Sequence, residues 1–115
     1  MRLHDSIYLK QNNYLSPKEK NKLLLKIIKK KISNKKIKIL DVGCATGELI
    51  FFLNKELNAE TYGLDVNKKL LNKAKKNCKN SQFQLMDIGK NIKFKKKFDI
   101  IICSGLIEPT IINYI

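Results

Sequence analysis

The chain of 115 residues has no tryptophan, one histidine (His4), one arginine (Arg2) and two prolines. A lone histidine and three cysteines, Cys44, Cys78 and Cys103, with no CxxC spacing leave no ligand set for a metal ion, and none is expected. The odd cysteine count suits a reducing compartment better than a disulfide scaffold, so the cytoplasm is the expected location. No apolar run approaches the roughly eighteen residues of a membrane span. Residues 1–14 place Asp5, Lys10 and two adjacent asparagines where a signal peptide needs an apolar stretch. Neither a membrane partner nor secretion is expected.

The scarcity of arginine also bears on the formal net charge of +14. A basic excess of this size is the footprint of a nucleic-acid binder. Yet Arg2 alone carries the bidentate fork that reads phosphates and guanines, and the remaining 23 basic residues are lysines. These lysines accompany many asparagines and isoleucines, the joint enrichment that an AT-rich coding bias produces. The charge is read first as a solvated lysine surface, and an RNA partner stays open only through general electrostatic attraction. With 43% hydrophobic residues the chain has material for one globular domain.

The chain is organised around residues 38–48, KILDVGCATGE. Ile37, Ile39, Leu40 and Val42 form a β-branched apolar run suited to a parallel strand covered on both faces. The run ends in Asp41, and Gly43, Ala45 and Gly47 follow at alternate positions, opening the backbone to a close ligand before a helix begins. A P-loop is excluded because Glu48 and Leu49 stand where its lysine and hydroxyl residue belong. A dinucleotide fingerprint would put its third glycine at Glu48, whose charge would repel a pyrophosphate held on the same helix N-terminus.

The pattern D-x-G-x-G/A-x-G is met in full by Asp41, Gly43, Ala45 and Gly47. This stretch resembles motif I of the class I S-adenosylmethionine-dependent methyltransferases. Three later segments follow in that family's order. TYGLD, residues 61–65, reads as a strand ending in Asp65, 22 residues after Gly43, near the offset at which Rossmann-like folds set an acid on ribose hydroxyls. QLMDI, residues 84–88, resembles the adenine-recognising segment, with Asp87 accepting from the exocyclic amine and the Ile88 N–H donating to the ring. FDIIICS, residues 98–104, with SGLIE after it, resembles motif IV, where Ser104 and Glu108 face the gap between cofactor and substrate. Many small-molecule methyltransferases carry an E-H pair at this point, but Pro109 replaces the histidine here. The resemblance covers residues 37–108.

The resemblance implies a Rossmann-like three-layer α/β/α sandwich with a mostly parallel sheet, ending after the fourth strand. It implies S-adenosyl-L-methionine as cofactor, held by Asp41, Gly43, Cys44, Ala45, Gly47, Asp65, Val66, Asp87, Ile88 and Ser104. The catalytic residue stays unassigned, because aligned methyl transfer needs no obligatory acid–base pair. The acceptor is expected to be a small molecule. A partner chain completing the sheet, a non-catalytic scaffold that keeps the cofactor fold and an RNA-directed fragment are the alternatives.

The remaining organisation is read from periodicity. Residues 1–15 form an arm with His4, Tyr8 and Tyr14, and residues 16–115 form the domain. Ser16-Pro17-Lys18-Glu19 is a capping box that starts a helix running to about residue 33, with Leu24, Ile27, Ile28 and Ile32 inward. Leu49, Ile50, Phe52, Leu53 and Leu57 form the next helix. Asn67 caps a third that carries Leu70, Leu71 and Ala74. Residues 91–97 read as an exposed lysine-rich connection. Pro109 is expected to open a helix over residues 110–115, which would leave the fourth strand as an apolar edge. Cys44 and Cys103 are expected near one another at adjacent strand ends.

Overall fold

A computed structural model describes residues 16–31, 36–86, 97–104 and 110–114. Among the described residues the elements are, in chain order, α1 Pro17–Lys31, β1 Ile37–Val42, α2 Glu48–Glu56, β2 Ala59–Asp65, α3 Lys68–Asn77, β3 Gln82–Leu85, β4 Ile100–Cys103 and β5 Thr110–Tyr114. The arm, Ile32, residues 91–96 and residues 105–109 lie outside the described residues.

The strands form one sheet in the order β3-β2-β1-β4-β5. β1 pairs in parallel with both β2 and β4, and β2 with β3. The α/β class and the mostly parallel sheet are as the sequence led us to expect. Both crossovers from β1 to β2 and from β2 to β3 move the same way across the sheet, so right-handed connections put α2 and α3 on one face. The core follows that rule. Leu24 and Ile28 of α1 and Leu49 and Leu53 of α2 pack on Ile37, Ile39, Ile100 and Ile102. On the opposite face Leu40, Tyr62, Leu64 and Phe98 are buried together, and the Tyr62 and Phe98 rings meet edge to face at 5.2 Å. The described helices all belong to the first of these faces.

Local chemistry explains where the elements start. The Glu19 N–H donates to Ser16 Oγ at 3.2 Å, so the capping serine acts as expected. Asn67 Oδ1 accepts from the Leu70 N–H at 3.1 Å and caps α3 in the same way. At the N-terminal edge of the sheet, Asp99 accepts from the Lys38 N–H while its own N–H donates to the Lys38 carbonyl, which fixes the β1–β4 register. Buried Thr61 donates to Asn54 Oδ1, and Asn54 donates to Ser81 Oγ, tying α2, β2 and the entry to β3.

One expectation is corrected. Residues 110–114 form strand β5, antiparallel to β4, where a helix was anticipated, so β4 is an interior strand. The reason lies in the competing preferences of this segment. Thr110, Ile111 and Ile112 are β-branched and lose side-chain freedom in a helix, and the open hydrogen-bonding edge of β4 outweighs the helix-initiating preference of Pro109.

Candidate cofactor site

β1 and β4 are adjacent in the sheet but distant in sequence, and β1 connects onward to β2 on its other side. This is the point at which strand order reverses, and open parallel sheets bind ligands beyond the strand C-termini there. A cleft of about 240 Å³ opens at that place. Residues 43–46 of the loop after β1, Glu48 and Leu49 of α2, Ser104 after β4, and Pro17, Lys20 and Asn21 of α1 line it.

The loop owes its shape to three left-handed residues. Gly43, Ala45 and Gly47 have φ of 78°, 50° and 82°. Ala45 is the one that carries a Cβ, and it meets the strain that glycine would avoid. Gly47 is the N-cap of α2 and offers no side-chain cap. A Cβ on Gly47 would come within 3.0 Å of the Cys78 sulfur and 3.3 Å of the Ala74 Cβ, so the glycine also lets α3 approach. The loop is pinned from behind. The Gly43 and Cys44 N–H groups both donate to the Leu64 carbonyl, the Asn77 amide donates to the Thr46 carbonyl, and the Cys78 thiol to the Gly47 carbonyl.

Asp65, at the end of β2, is 8% exposed. Its Oδ2 accepts from the Ala45 N–H and its Oδ1 from the Asn67 N–H, both at 2.8 Å. The carboxylate thus joins the loop after β1 to the start of α3. Each oxygen keeps a second lone pair.

Asp41 differs. It is 0% exposed, and its Oδ1 accepts from the Ser104 hydroxyl at 2.5 Å and the Ser104 N–H at 3.3 Å. Its Oδ2 is buried without a hydrogen-bond partner among the described residues. Burial pushes this carboxyl up to about 7, against the two Ser104 hydrogen bonds, and the nearby Asp65 charge adds to the rise. The Ser104 hydroxyl also reaches the Gly43 carbonyl at 3.3 Å.

Cys44 contributes to the cleft wall, but its sulfur sits over Gly63, where a Cβ would lie 2.7 Å away. Burial, with the Asp41 and Asp65 charges adding, pushes its thiol up to about 12. It packs with Cys78 and Ile50, while Cys103 lies opposite Val42 on the neighbouring strand. Val66 is 47% exposed, and neither it nor the buried Asp65 belongs to the cleft wall. Asp87, Ile88 and Glu108 lie outside the described residues, as do His4, Tyr8 and Tyr14.

Sequence reading alone missed Lys20 and Asn21, which reach the cleft from α1, and Asn77, which holds the loop. It also missed Gly63, although a glycine inside a strand is a signal of close approach. On its neighbour β3, Phe83 would stand 2.6 Å from a Cβ at Gly63. No group of metal-ligating side chains occurs among the described residues.

A parallel α/β sheet with a glycine-bearing loop, a helix N-terminus and strand-end carboxylates at its switch point defines a Rossmann-like ligand-binding domain. A family profile described as a methyltransferase domain matches residues 33–115. The chain is 36% identical over 103 residues to a release factor glutamine methyltransferase of Flavobacterium psychrophilum, covering 83% of this chain and 36% of that protein. It is 36% identical over 92 residues to a ubiquinone biosynthesis O-methyltransferase of Coxiella burnetii, covering 76% of this chain and 39% of that protein. A solved methyltransferase from Thiobacillus denitrificans, in complex with S-adenosyl-L-homocysteine, superposes with a TM-score of 0.64 at 19% identity. That match covers 80% of this chain and 38% of the other. The chain belongs to the methyltransferase domain family, and it spans less than two fifths of the length of these relatives.

Proposed function

We propose that this chain is the cofactor-binding portion of an S-adenosylmethionine-dependent methyltransferase acting on a small-molecule acceptor. The observation that carries the reading is the backbone cradle of residues 43–47 set between two strand-end carboxylates, Asp41 and Asp65, beside a cleft at the sheet's switch point. Bound S-adenosylmethionine would supply an activated methyl group on a sulfonium.

The residues fit such a group. Side chains are small along the loop, so the backbone can approach a ligand closely. Asp65 would accept from ribose hydroxyls through its remaining lone pairs. Glu48, in the first turn of α2 and on the cleft wall, and the buried Asp41 favour a ligand with ammonium and sulfonium charges. The same Glu48 disfavours a pyrophosphate at that helix N-terminus, which argues against a nicotinamide dinucleotide. Asp87 and Ile88 are the candidates for the adenine, and Val66 for the rim. The chain's contribution to chemistry is alignment and exclusion of water, with no acid–base residue assigned. The O-methyltransferase relative supports a small acceptor.

A thermal-shift panel tests the reading. S-adenosylmethionine and S-adenosylhomocysteine are expected to raise the midpoint of unfolding, and NAD and ATP to leave it unchanged. A stably folded chain that responds to none of the four would be a scaffold that keeps the cofactor fold, and stabilisation by NAD alone would make it a dinucleotide binder.

A further inference from the structure

Asp41 is enclosed on every side, yet only half of its carboxyl group is satisfied. Oδ1 takes both hydrogen bonds from Ser104, and Oδ2 has no partner among the described residues. A fully ionised carboxylate in that position would bear an uncompensated charge away from water, and a proton on Oδ2 removes it. Ser104 connects the buried group to the cleft, because it lines the wall, donates its hydroxyl proton to Asp41 and lies 3.3 Å from the Gly43 carbonyl.

Resting on the cofactor reading above, we propose that Asp41 and Ser104 form a proton-coupled floor beneath the cleft. Asp41 carries a proton on Oδ2 in the ligand-free chain and releases it when a cationic cofactor occupies the cleft, with Ser104 as the positioning residue that ties the carboxyl to the wall. The O–H bond breaks, its electron pair stays on Oδ2, and the proton passes to the buffer.

The groups around the carboxyl decide the direction. Burial first and then the negative Asp65 on β2 hold the proton on Asp41, the Cys44 and Cys103 thiols beside it, raised by burial, are neutral, and Glu48 on α2 adds a carboxylate to the cleft wall. Lys20 of α1 is the one cationic side chain among the described residues of the cleft wall. The rise of the Asp41 carboxyl to about 7 agrees with this arrangement. A ligand bearing an ammonium and a sulfonium over Gly43 and Ser104 adds positive charge where negative charge prevails. Binding then grows tighter as pH rises, by up to about tenfold per unit below the free-state midpoint.

The test is a carbon-13 titration of the Asp41 carboxyl, assigned with Asp41→Asn, in the free chain and with S-adenosylmethionine. It is joined to calorimetry in buffers of different ionisation enthalpy. The ligand's own amino group titrates at around 8, so the D41N chain serves as the reference for its protons. The expected result is a midpoint near 7 in the free chain that falls by at least one unit on binding, with a buffer-dependent heat that D41N lacks. Ser104→Ala raises the free midpoint further and moves the pH profile of binding upward, and Ser104→Thr, which keeps the hydroxyl, restores it. A serine with only a structural role would weaken binding equally at every pH when removed. An ordinary aspartate midpoint in the free chain overturns the proposal whatever binds. An unmoved midpoint in a chain whose calorimetry shows bound S-adenosylmethionine overturns it and leaves the cofactor reading standing. No heat of binding overturns both.

Discussion

The turns that leave β1 and β2 start alike, each near an aspartate at a strand end, and they solve the same problem differently. After β2, both Asp65 oxygens accept from backbone N–H groups, one of its own turn at Asn67 and one of the other turn at Ala45, and Asn67 then caps α3. After β1, Asp41 keeps one buried oxygen without a partner among the described residues, three residues take left-handed φ, and α2 begins without a side-chain cap. The second turn keeps its shape because the first one, with Leu64 and α3, holds it. Backbone strain is therefore collected in the loop that contributes Gly43 and Ala45 to the cleft wall, and the supporting contacts lie behind it. A binding site needs that division: a loop open to a ligand, positioned by residues whose own hydrogen bonds hold it in place.

The largest expected effect breaks the comparison at Asp41. Its folded pKa is raised from 3.8 to about 7, so its contribution to stability is complete below the unfolded value and is lost as pH rises through about 7. Three units correspond to a loss on the order of 4 kcal/mol between pH 4 and pH 8. Chemical denaturation across that range is expected to show this slope in the natural chain and to lose it in Asp41→Asn. Next comes Asp65→Ala, which leaves the Ala45 and Asn67 N–H groups without their charged acceptor. It should cost about 2–3 kcal/mol at pH 7 and abolish the thermal shift with S-adenosylmethionine. If Asp65→Ala left both stability and the thermal shift intact, the loop would not depend on the turn after β2. A smaller effect is expected at Gly63, where a new Cβ meets the Phe83 ring at 2.6 Å and the Cys44 sulfur at 2.7 Å. Gly63→Val should cost roughly 2 kcal/mol in urea unfolding by overpacking the layer beneath the loop.

What was legible in the sequence was whatever neighbours in the chain decide. The β-branched run at Ile37, Ile39, Leu40 and Val42 announces β1, Ser16 and Asn67 announce their helices, and Gly43, Ala45 and Gly47 announce a backbone a ligand can approach. The convergence of Asp41 and Asp65 was legible too, because parallel strands place their C-termini on one rim. The bonding of Asp41 Oδ1 to Ser104 was not, since Ser104 is 63 positions away and is brought near only by β4 pairing with β1. Lys20 and Asn21 reach the cleft through the packing of α1, whose angle no periodicity encodes. Residues 110–114 show a local preference overruled, as the free edge of β4 outweighed Pro109. The net charge was uninformative about the site, because of all the lysines only Lys20 stands in the described cleft wall.

The smallest effect separates the internal order of the turn after β2 from its service to the turn after β1. Asn67 contributes to α3 through its side chain, which accepts from the Leu70 N–H, and to Asp65 through its backbone N–H. Asn67→Ala removes the first bond and keeps the second. Loss of an N-cap costs about 1 kcal/mol, so the unfolding midpoint should fall modestly. The Asp65 carboxylate still accepts from both N–H groups, and the loop at Ala45 stays in place. Hydrogen exchange should accordingly speed up in the first turn of α3 and stay unchanged at Ala45, and the thermal shift with S-adenosylmethionine should keep its size. Faster exchange at Ala45 in this variant would mean that the loop is held by the α3 terminus as a whole and not by the single carboxylate between them.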